Sequence, residues 1–398
     1  MSIPHFHPLP IQRVLPEAAG SVVLTFLVPP ALRDAYRFKP GQFLTLRANI
    51  GGQSVRRSYS ICSSTQRFTR TGEIEVGIKP VPGGVFSNWA VGLSAGDVLD
   101  VMPPDGRFTP RAQPGSDRDT DPAQRAVSYP FHRVGFAAGS GITPILSIIA
   151  STLEGEPGSL FTLVYSNQRV GSILFNEALQ DLKDQHPARL TLIHLLSRQA
   201  QEVPLLSGRL DAAKVNDILT ALVPADRIDE AFICGPEAMI EATQQALRAA
   251  GLPPAAIHTE RFLSAHPMNA LNAANNAQNT RTATNLIATL AYSTGAKGQF
   301  DTIKDAICSL QVVLDGKTHA MTLTAQDKVL DVALAAGLDL PYACRGGVCC
   351  TCRARVIDGR VQMEKNFTLE QWEVDKGFVL TCQARPLTPS VTVSYDER

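Results

Sequence analysis

The chain lacks three features that would each point to a particular class of protein. It has no excess of charge, because Lys+Arg and Asp+Glu both number 37 in 398 residues. A balanced charge argues against nucleic acid or an anionic membrane as the main partner. It also has no apolar run long enough to span a bilayer, and no basic stretch followed by an apolar run near Met1. We therefore expect a cytoplasmic protein without a membrane partner.

A disulfide framework and an internal repeat are also missing. The chain has 8 cysteines, of which four fall into one C-terminal pattern while the others are scattered. This distribution is typical of a reducing compartment. Hydrophobic residues make up 44% of the sequence, which is enough for well-formed cores. The length predicts about two to three domains.

Changes in composition and periodicity divide the chain into five segments. Residues 1–110 alternate short apolar runs with Pro and Gly turns, which predicts an antiparallel β-barrel. Residues 111–131 are polar and aperiodic and predict a loop excursion. Residues 132–262 alternate strand and helix patterns, which predicts an α/β domain with a parallel sheet and helices on both faces. Residues 263–305, rich in Ala, Asn and Thr, predict a linker, and residues 306–398 predict a small α+β domain.

The C-terminal cysteines give the most specific signal. Cys344, Cys349 and Cys352 follow the spacing C-x4-C-x2-C, and Cys382 lies farther along the chain. This is the plant-type ligand spacing of a [2Fe–2S] cluster. The same spacing excludes Cys350 from the ligand set, so we expect a small packed side chain there.

Two alternative sites would each account for only part of this loop. Cys349-x2-Cys352 alone would also suit a thioredoxin-like redox pair or half of a zinc site. Neither alternative explains Cys344, the distant Cys382 and the adjacent Gly346 and Gly347 together. Because glycine tolerates positive φ, we expect both glycines to let the loop turn its N–H groups toward the sulfurs.

Two weaker motifs lie in the predicted barrel. Arg57-Ser58-Tyr59-Ser60 ends a strand, and Gly84-x-x-Ser87 resembles a glycine turn that opens a helix. Arg57 could pair with a pyrophosphate, and Tyr59 offers an aromatic face. A helix N-terminus favours phosphate because its N–H groups are unpaired. Each part alone is more often an ordinary turn or surface strand, so the argument depends on their order and spacing.

The predicted sheet domain begins with a strand that runs into a glycine turn. Gly139-Ser-Gly141-Ile-Thr143-Pro144 resembles the dinucleotide-binding pattern G-x-G-x-x-G but has proline at the last position. Glycines still permit close approach of a pyrophosphate, and proline is favourable in the first turn of a helix. The alternative is a strand–helix turn without a ligand.

Together these motifs resemble the ferredoxin–NADP reductase family. The resemblance implies a flavin domain in which Arg57 binds the FAD pyrophosphate, Tyr59 stacks on the flavin and Ser60 bonds near its N5 atom. It implies a lysine beside the ribityl chain at Lys79 and a residue close to the flavin at Glu260. The full set of FAD residues implied is Arg57, Ser58, Tyr59, Ser60, Lys79, Gly84, Phe86 and Ser87.

The same resemblance implies a nicotinamide site in the second domain. Cys234-Gly235-Pro236-x-x-Met239 matches the family motif whose cysteine lies by the nicotinamide, although Cys234 alone would be a buried core thiol. Ser197-Arg198 matches the position that holds the 2′-phosphate of NADPH, so NADPH is expected in preference to NADH. The nicotinamide residues implied are Gly139, Gly141, Thr143, Pro144, Ser197, Arg198, Cys234, Gly235, Pro236 and Met239, and the catalytic residues implied are Ser60, Cys234 and Glu260.

The order of the three domains resembles the reductase components of bacterial oxygenases. It implies an antiparallel flavin barrel, a parallel-sheet nicotinamide domain and a β-grasp-like ferredoxin domain that pass electrons from NADPH through FAD and the cluster. The implied partner is an oxygenase, specifically a multisubunit di-iron monooxygenase. Ring-hydroxylating and steroid-hydroxylating systems, or a non-catalytic redox sensor, remain alternatives. Glu370, Glu373 and Asp375 suggest an acidic docking face, or simply a solvated helix.

Overall fold

The structure, a computed structural model, describes residues 5–111, 130–262 and 307–397. The predicted loop excursion 111–131 lies outside the described residues except at its two ends, and the predicted linker 263–305 lies wholly outside them. The described residues form three units in chain order. No helix within these ranges is both long and apolar enough to cross a bilayer.

The first unit is an antiparallel barrel. Its six strands pair in the order β4-β3-β6-β1-β2-β5. The bridge between Ile61 and Val76 joins the two ends of this order and closes the sheet. The strands are β1 His7–Glu17, β2 Ser21–Leu27, β3 Phe43–Ile50, β4 Gln53–Ser60, β5 Glu73–Ile78 and β6 Val98–Asp105, and the helices are α1 Thr65–Thr71 and α2 Val85–Ala90.

The second unit is a five-stranded parallel sheet in the order β11-β10-β7-β8-β9. Separate apolar clusters cover its two faces, one involving α3 and α4 and the other α5 and α6. Its strands are β7 His132–Ala138, β8 Leu160–Asn167, β9 Leu190–Leu196, β10 Glu230–Cys234 and β11 Ile257–Glu260. Its helices are α3 Ile142–Gly155, α4 Asn176–Gln185, α5 Ala212–Ala221 and α6 Glu237–Ala249.

Helix α3 joins the first two units. Its side chains from Ile142 to Leu153 are all buried, including those of Ser147 and Ser151. Ser147 on this helix donates a hydrogen bond of 2.7 Å to the carbonyl of Ser63 in the barrel. The helix therefore packs against the sheet on one side and against the barrel on the other.

The third unit is a small mixed sheet in the order β13-β12-β18-β14-β16. Strands β12 and β18 are parallel and the other neighbours are antiparallel, which is the predicted β-grasp-like arrangement. The strands of this sheet are β12 Ile307–Leu314, β13 Lys317–Thr324, β14 Arg353–Asp358, β16 Phe378–Leu380 and β18 Ser390–Ser394. Two further strands, β15 Val361–Met363 and β17 Ala384–Pro386, pair antiparallel as a separate sheet. The helices of this unit are α7 Val329–Ala335 and α8 Gln371–Asp375. The 8 cysteines, all of which lie in the described ranges, form no disulfide.

Candidate functional site

Strand β4 presents its motif residues on two different faces, because successive side chains of a strand alternate. Arg57 and Tyr59 share one face, whereas Ser58 and Ser60 lie on the other. The hydroxyl of Ser58 lies 3.4 Å from that of Thr45 on β3. The structure therefore separates the side chain of Ser58 from Arg57 and Tyr59, with which the motif grouped it.

Two basic side chains are available for a phosphate group. Arg57 is exposed, and among the described residues it donates only to the carbonyl of Arg56, at 2.7 Å. Lys79 extends toward the second unit, where a Cβ placed on Gly139 would lie 3.9 Å from its Nζ. Neither side chain has an acidic partner in the described ranges, so both fit a pyrophosphate-containing cofactor.

The glycine turn before α2 is packed from the barrel side. Phe86 is only 1% exposed, and its ring centroid lies 5.7 Å from that of Tyr59. Ser87 is buried and accepts a hydrogen bond of 3.2 Å from the N–H of Val81. The side chains of Phe86 and Ser87 thus support Tyr59 and the turn at Gly84, and any contact of these residues with the flavin remains a prediction.

The two predicted nicotinamide motifs touch each other. A Cβ on Gly141 would lie 2.1 Å from the carbonyl oxygen of Cys234, closer than any real side chain allows. A Cβ on Gly235 would lie 2.6 Å from Cε of Met239. Thr143 donates to the carbonyl of Ser140 at 3.0 Å and so fixes the start of α3, where Pro144 follows. These close contacts hold the two glycine motifs together at the start of α3. We call this stretch of bare backbone the cradle, because its N–H groups can be approached by a dinucleotide.

The three residues that the resemblance assigns to catalysis come together. Cys234 and Glu260 are register partners at the ends of the parallel strands β10 and β11. Ser60 donates a hydrogen bond of 3.2 Å to Oε1 of Glu260. The other carboxylate oxygen, Oε2, is buried and has no hydrogen-bond partner among the described residues. Such an unpaired buried oxygen fits a site that is completed by a bound group.

Burial sets the protonation of this group. Desolvation raises the pKa of Glu260 to about 8, against a smaller opposite effect of the hydrogen bond from Ser60. Burial also raises the pKa of the Cys234 thiol, and the charge of Glu260 raises it further. At neutral pH Glu260 therefore holds a proton, and Cys234 is a neutral thiol.

The raised pKa predicts how stability depends on pH in the flavin-free protein. The folded chain binds this proton more tightly than the unfolded chain, so the stability from neutral Glu260 is full below its ordinary pKa of 4.5 and is lost as pH rises toward about 8. Because Glu260→Gln keeps a neutral side chain, the Tm of this variant should rise relative to wild type over that interval. Thermal melts at a series of pH values measure the difference, and parallel curves would contradict the assignment. Ser60→Ala should move the transition to higher pH.

The residues expected to choose between NADPH and NADH follow β9. The N–H and hydroxyl of Ser197 both donate to the carbonyl of Asn167, at 2.9 and 3.2 Å. The N–H of Arg198 donates to Gln168, at 2.9 Å, while its side chain is exposed and makes no ion pair in the described ranges. The backbone of Arg198 is therefore held in place, and its exposed guanidinium is available for an anion.

The four predicted cluster ligands converge. The thiol of Cys344 hydrogen bonds with those of Cys349 and Cys382, and Cys382 in turn contacts Cys352. The hydrogen bonds from these two thiols lower the pKa of Cys344. Among the described residues, no group of three or more His, Cys, Asp or Glu side chains has the arrangement of a preformed metal site. Four soft sulfur donors in one place suit an iron–sulfur cluster, and the ligand set itself remains a prediction.

The loop around these thiols turns in a way that was only partly predicted. Gly347 has the expected positive φ of 79°, but Gly346 does not, and Arg345 and Cys350 take left-handed conformations at φ 54° and 57°. The N–H of Gly346 does donate to the sulfur of Cys344, at 3.3 Å. Cys350 is buried, and burial raises the pKa of its thiol to about 11, which agrees with a packed side chain.

One cleft joins all three units. Its lining includes Gly41 and Phe43 from the barrel, Thr259 and Glu260 from the end of β11, and residues 348–350 of the cluster loop. Phe43 also packs in an apolar cluster with Ala343 and Cys349. Glu260, which is expected near the flavin, and Cys349, which is a predicted cluster ligand, therefore line the same cleft.

No sequence pattern predicts the ion pairs at the junction, by which we mean the contact between the barrel and the third unit around this cleft. Arg56 of the barrel donates to Asp339, and Arg107 donates to Glu373, in both cases across the boundary between the first and third units. The predicted acidic docking face is wrong at Glu373, because this side chain is fully buried between Arg107 and Arg353. Only a three-dimensional structure reveals these partners, since they are far apart in the chain.

Family models match all three units. An oxidoreductase FAD-binding domain matches residues 21–109, an oxidoreductase NAD-binding domain residues 136–245, and a 2Fe-2S iron-sulfur cluster binding domain residues 312–387. A subunit of the 1,2-phenylacetyl-CoA epoxidase of Escherichia coli K12 is 41% identical over 99% of this chain and 98% of its own length. The chain belongs to the ferredoxin–NADP reductase family. This reductase is an oxidoreductase with domains for FAD, a nicotinamide nucleotide and a [2Fe–2S] cluster, as the sequence predicted.

Two further relatives share the whole length of the reductase. The ferredoxin reductase component of a 3-ketosteroid-9-alpha-monooxygenase from Rhodococcus rhodochrous is 32% identical over 97% of this chain and 96% of its own length. The solved structure of phthalate dioxygenase reductase covers 98% of each chain with a TM-score of 0.54 at 18% identity, which shows the shared fold. The predicted three-domain fold class is therefore confirmed.

Proposed function

We propose that this reductase takes electrons from NADPH and delivers them to an oxygenase, specifically a phenylacetyl-CoA 1,2-epoxidase of phenylacetate degradation. The observation that supports this partner is the 41% identity to the epoxidase subunit over almost the whole of both chains, against 32% for the steroid monooxygenase component. We further propose that the oxygenase is a multisubunit di-iron enzyme and that the reductase is cytoplasmic.

The side chains of the junction support this assignment. When bound, FAD and the cluster would supply the conversion of a hydride's two electrons into single electrons. Arg57 would bind the flavin pyrophosphate, Lys79 would lie beside the ribityl chain, and the backbone at Gly141 and Gly235 would admit the nicotinamide nucleotide. Ser60 holds the carboxyl of Glu260 at 3.2 Å. Because that carboxyl lies in register with Cys234, it can hold or release a proton where the nicotinamide is expected.

The proposed thiolate ligands complete the electron route. Cys344, Cys349, Cys352 and Cys382 would hold the cluster, and residues 348–350 bring its loop to the cleft that Glu260 also lines. The donor and the acceptor of electrons would thus meet at one place. This common cleft favours electron transfer over the alternative of a non-catalytic redox sensor, which would not need it.

Reconstitution with candidate oxygenases tests the proposal. NADPH consumption and product formation would be measured with a phenylacetyl-CoA epoxidase and, as a matched alternative, with a 3-ketosteroid 9α-hydroxylase. We expect epoxide formation with the first and little product with the second. Equal product formation by both oxygenases would contradict the specific partner and leave only the assignment as an oxygenase reductase. A redox sensor would fail to turn over even with ferricyanide or cytochrome c.

The choice of NADPH gives a separate prediction. Arg198→Ala should raise the KM for NADPH by at least about tenfold, because a charge-assisted hydrogen bond contributes roughly 1.5–3 kcal/mol. The KM for NADH should hardly change, since NADH has no 2′-phosphate. Arg248→Ala, at an exposed arginine near the end of α6, is the matched control and should leave both constants alone. An equal effect of Arg198→Ala on both nucleotides would contradict the assignment.

A further inference from the structure

We propose that two ion pairs, Arg56–Asp339 and Arg107–Glu373, hold the third unit docked on the barrel with its cluster loop seated on Phe43. We call them the two clamps. The inference concerns how the proposed electron route is kept assembled, and for its functional meaning it rests on the proposed function. Its structural claim is that the docked arrangement is the resting state of the chain.

The clamp at Glu373 is buried on its acidic side. The Glu373 side chain is 0% exposed, accepts a hydrogen bond from Arg107 at 2.6 Å and, within its own unit, forms an ion pair with Arg353 at 2.9 Å. The hydrogen bond and charge of Arg107 help to keep the pKa of Glu373 below its usual range despite the opposing effect of burial. A charge removed from water is strongly stabilised only while its partners stay in place. Separation of the units would deprive Glu373 of its bidentate partner.

The clamp at Arg56 is buried on its basic side. Arg56 is 7% exposed, and it donates to Asp339 at 2.6 Å and to the carbonyl of Leu340 at 3.0 Å. Its guanidinium also lies 4.3 Å from the ring centroid of Tyr342, two residues before the first cluster cysteine. Arg47 adds a weaker contact with Asp339, at 3.8 Å. The barrel thus binds residues 339–342, the segment that precedes the cluster loop, through Arg56.

An apolar contact joins the same two units. Phe43 packs on Ala343 and Cys349, and in the β3–β4 ladder it is the direct partner of Ser60. The cross-strand pair of Phe43 and Ser60 therefore connects Glu260, which is hydrogen-bonded to Ser60, with the proposed cluster ligand Cys349. Two clamps at separate points also fix orientation, which a single contact could not do. Arg56, Asp339, Arg107 and Glu373 are thus positioning residues for transfer between the two cofactors.

The test weakens both clamps in the full-length holoprotein while sparing each unit. Asp339→Lys places a cation opposite Arg56 and Arg47, and the Asp339 side chain is 72% exposed, so its own unit should fold. Arg107→Ala leaves Glu373 paired with Arg353. The readouts are the radius of gyration from small-angle X-ray scattering and the amide hydrogen exchange of residues 43–60 and 339–350. Asp358→Lys, at an exposed aspartate without an ion pair in the described ranges, is the charge-matched control.

We expect the double variant to become larger and its interface amides to exchange at least about tenfold faster, with flavin and iron content unchanged. The rate of flavin-to-cluster transfer should fall by a similar factor. Unchanged scattering and exchange would overturn the proposal, as would a slower transfer without undocking. Asp339→Lys alone should give a smaller effect in the same direction. Both structural readouts need no oxygenase, so docking can fail or hold independently of the proposed partner.

Discussion

Replacing Cys344, Cys349, Cys352 or Cys382 with serine is expected to remove the iron–sulfur absorbance and the bound iron. Each of the four thiols belongs to one contiguous set of sulfur contacts, and a two-iron cluster requires all four ligands. Loss of any one should lower iron content to near zero and abolish reduction of cytochrome c with NADPH. Ferricyanide reduction through the flavin should survive. Iron analysis and visible spectra of the purified variants measure the effect.

The matched control lies inside the same loop. Cys350→Ser should keep the iron and the spectrum, because the side chain is packed and its spacing excludes it from the ligand set. Serine also preserves the size of the side chain, and the left-handed backbone can be kept at modest cost. If Cys350→Ser emptied the site while one of the other four cysteines proved dispensable, the ligand assignment would be wrong.

Gly141→Ala is expected to damage the nicotinamide site severely, because the added methyl group would meet backbone atoms. The new Cβ would lie 2.1 Å from the carbonyl oxygen of Cys234 and 3.1 Å from the N atom of Gly235. The two motifs must then separate, at a cost of about 1–3 kcal/mol for an overpacked contact. We expect a drop in Tm and a rise of at least about tenfold in the KM for NADPH, with FAD content unchanged. Thermal melts and steady-state kinetics with ferricyanide measure both.

A second glycine of the same unit provides the control. Gly158 has no heavy atom within 4 Å of an added Cβ and lies in an open turn. Gly158→Ala should leave the KM for NADPH and the Tm close to wild type. Wild-type kinetics in Gly141→Ala would show that the nucleotide does not use this cradle.

The second unit was the part best predicted from the sequence, because each of its strands and helices has a regular apolar period. The structure has the predicted alternation, with five parallel strands and apolar clusters on both faces of the sheet. Strand β1 contains Pro8, Pro10 and Pro16, and proline is unusual in a strand because it cannot donate a hydrogen bond to a neighbouring strand. Its first part pairs only with β6 and its last part only with β2, so each proline can turn its missing N–H toward an unpaired side.

The sequence predicts those parts of the site that are built from residues close together in the chain, and it does not predict contacts between residues that are far apart in the chain. The cluster cysteines and the glycine turns have fixed local spacings, so a single sequence reveals them. Arg56 is adjacent to the predicted flavin residue Arg57, yet strand alternation sends it to the opposite face and to Asp339, 283 residues away. The same limit applies to Glu373, whose acidic neighbours suggested a solvated surface although its partner Arg107 lies 266 residues away.

Rapid anaerobic mixing of the holoprotein with NADPH tests the central claim most directly. Flavin and cluster absorbance would be followed together, in the wild type and in the cluster-free Cys382→Ser variant, before either protein is offered to the oxygenase. The proposed route predicts flavin reduction at the same rate in both proteins, cluster reduction after it in the wild type, and oxygenase turnover in the wild type alone. Turnover supported at the wild-type rate by Cys382→Ser would show that electrons do not pass through the cluster.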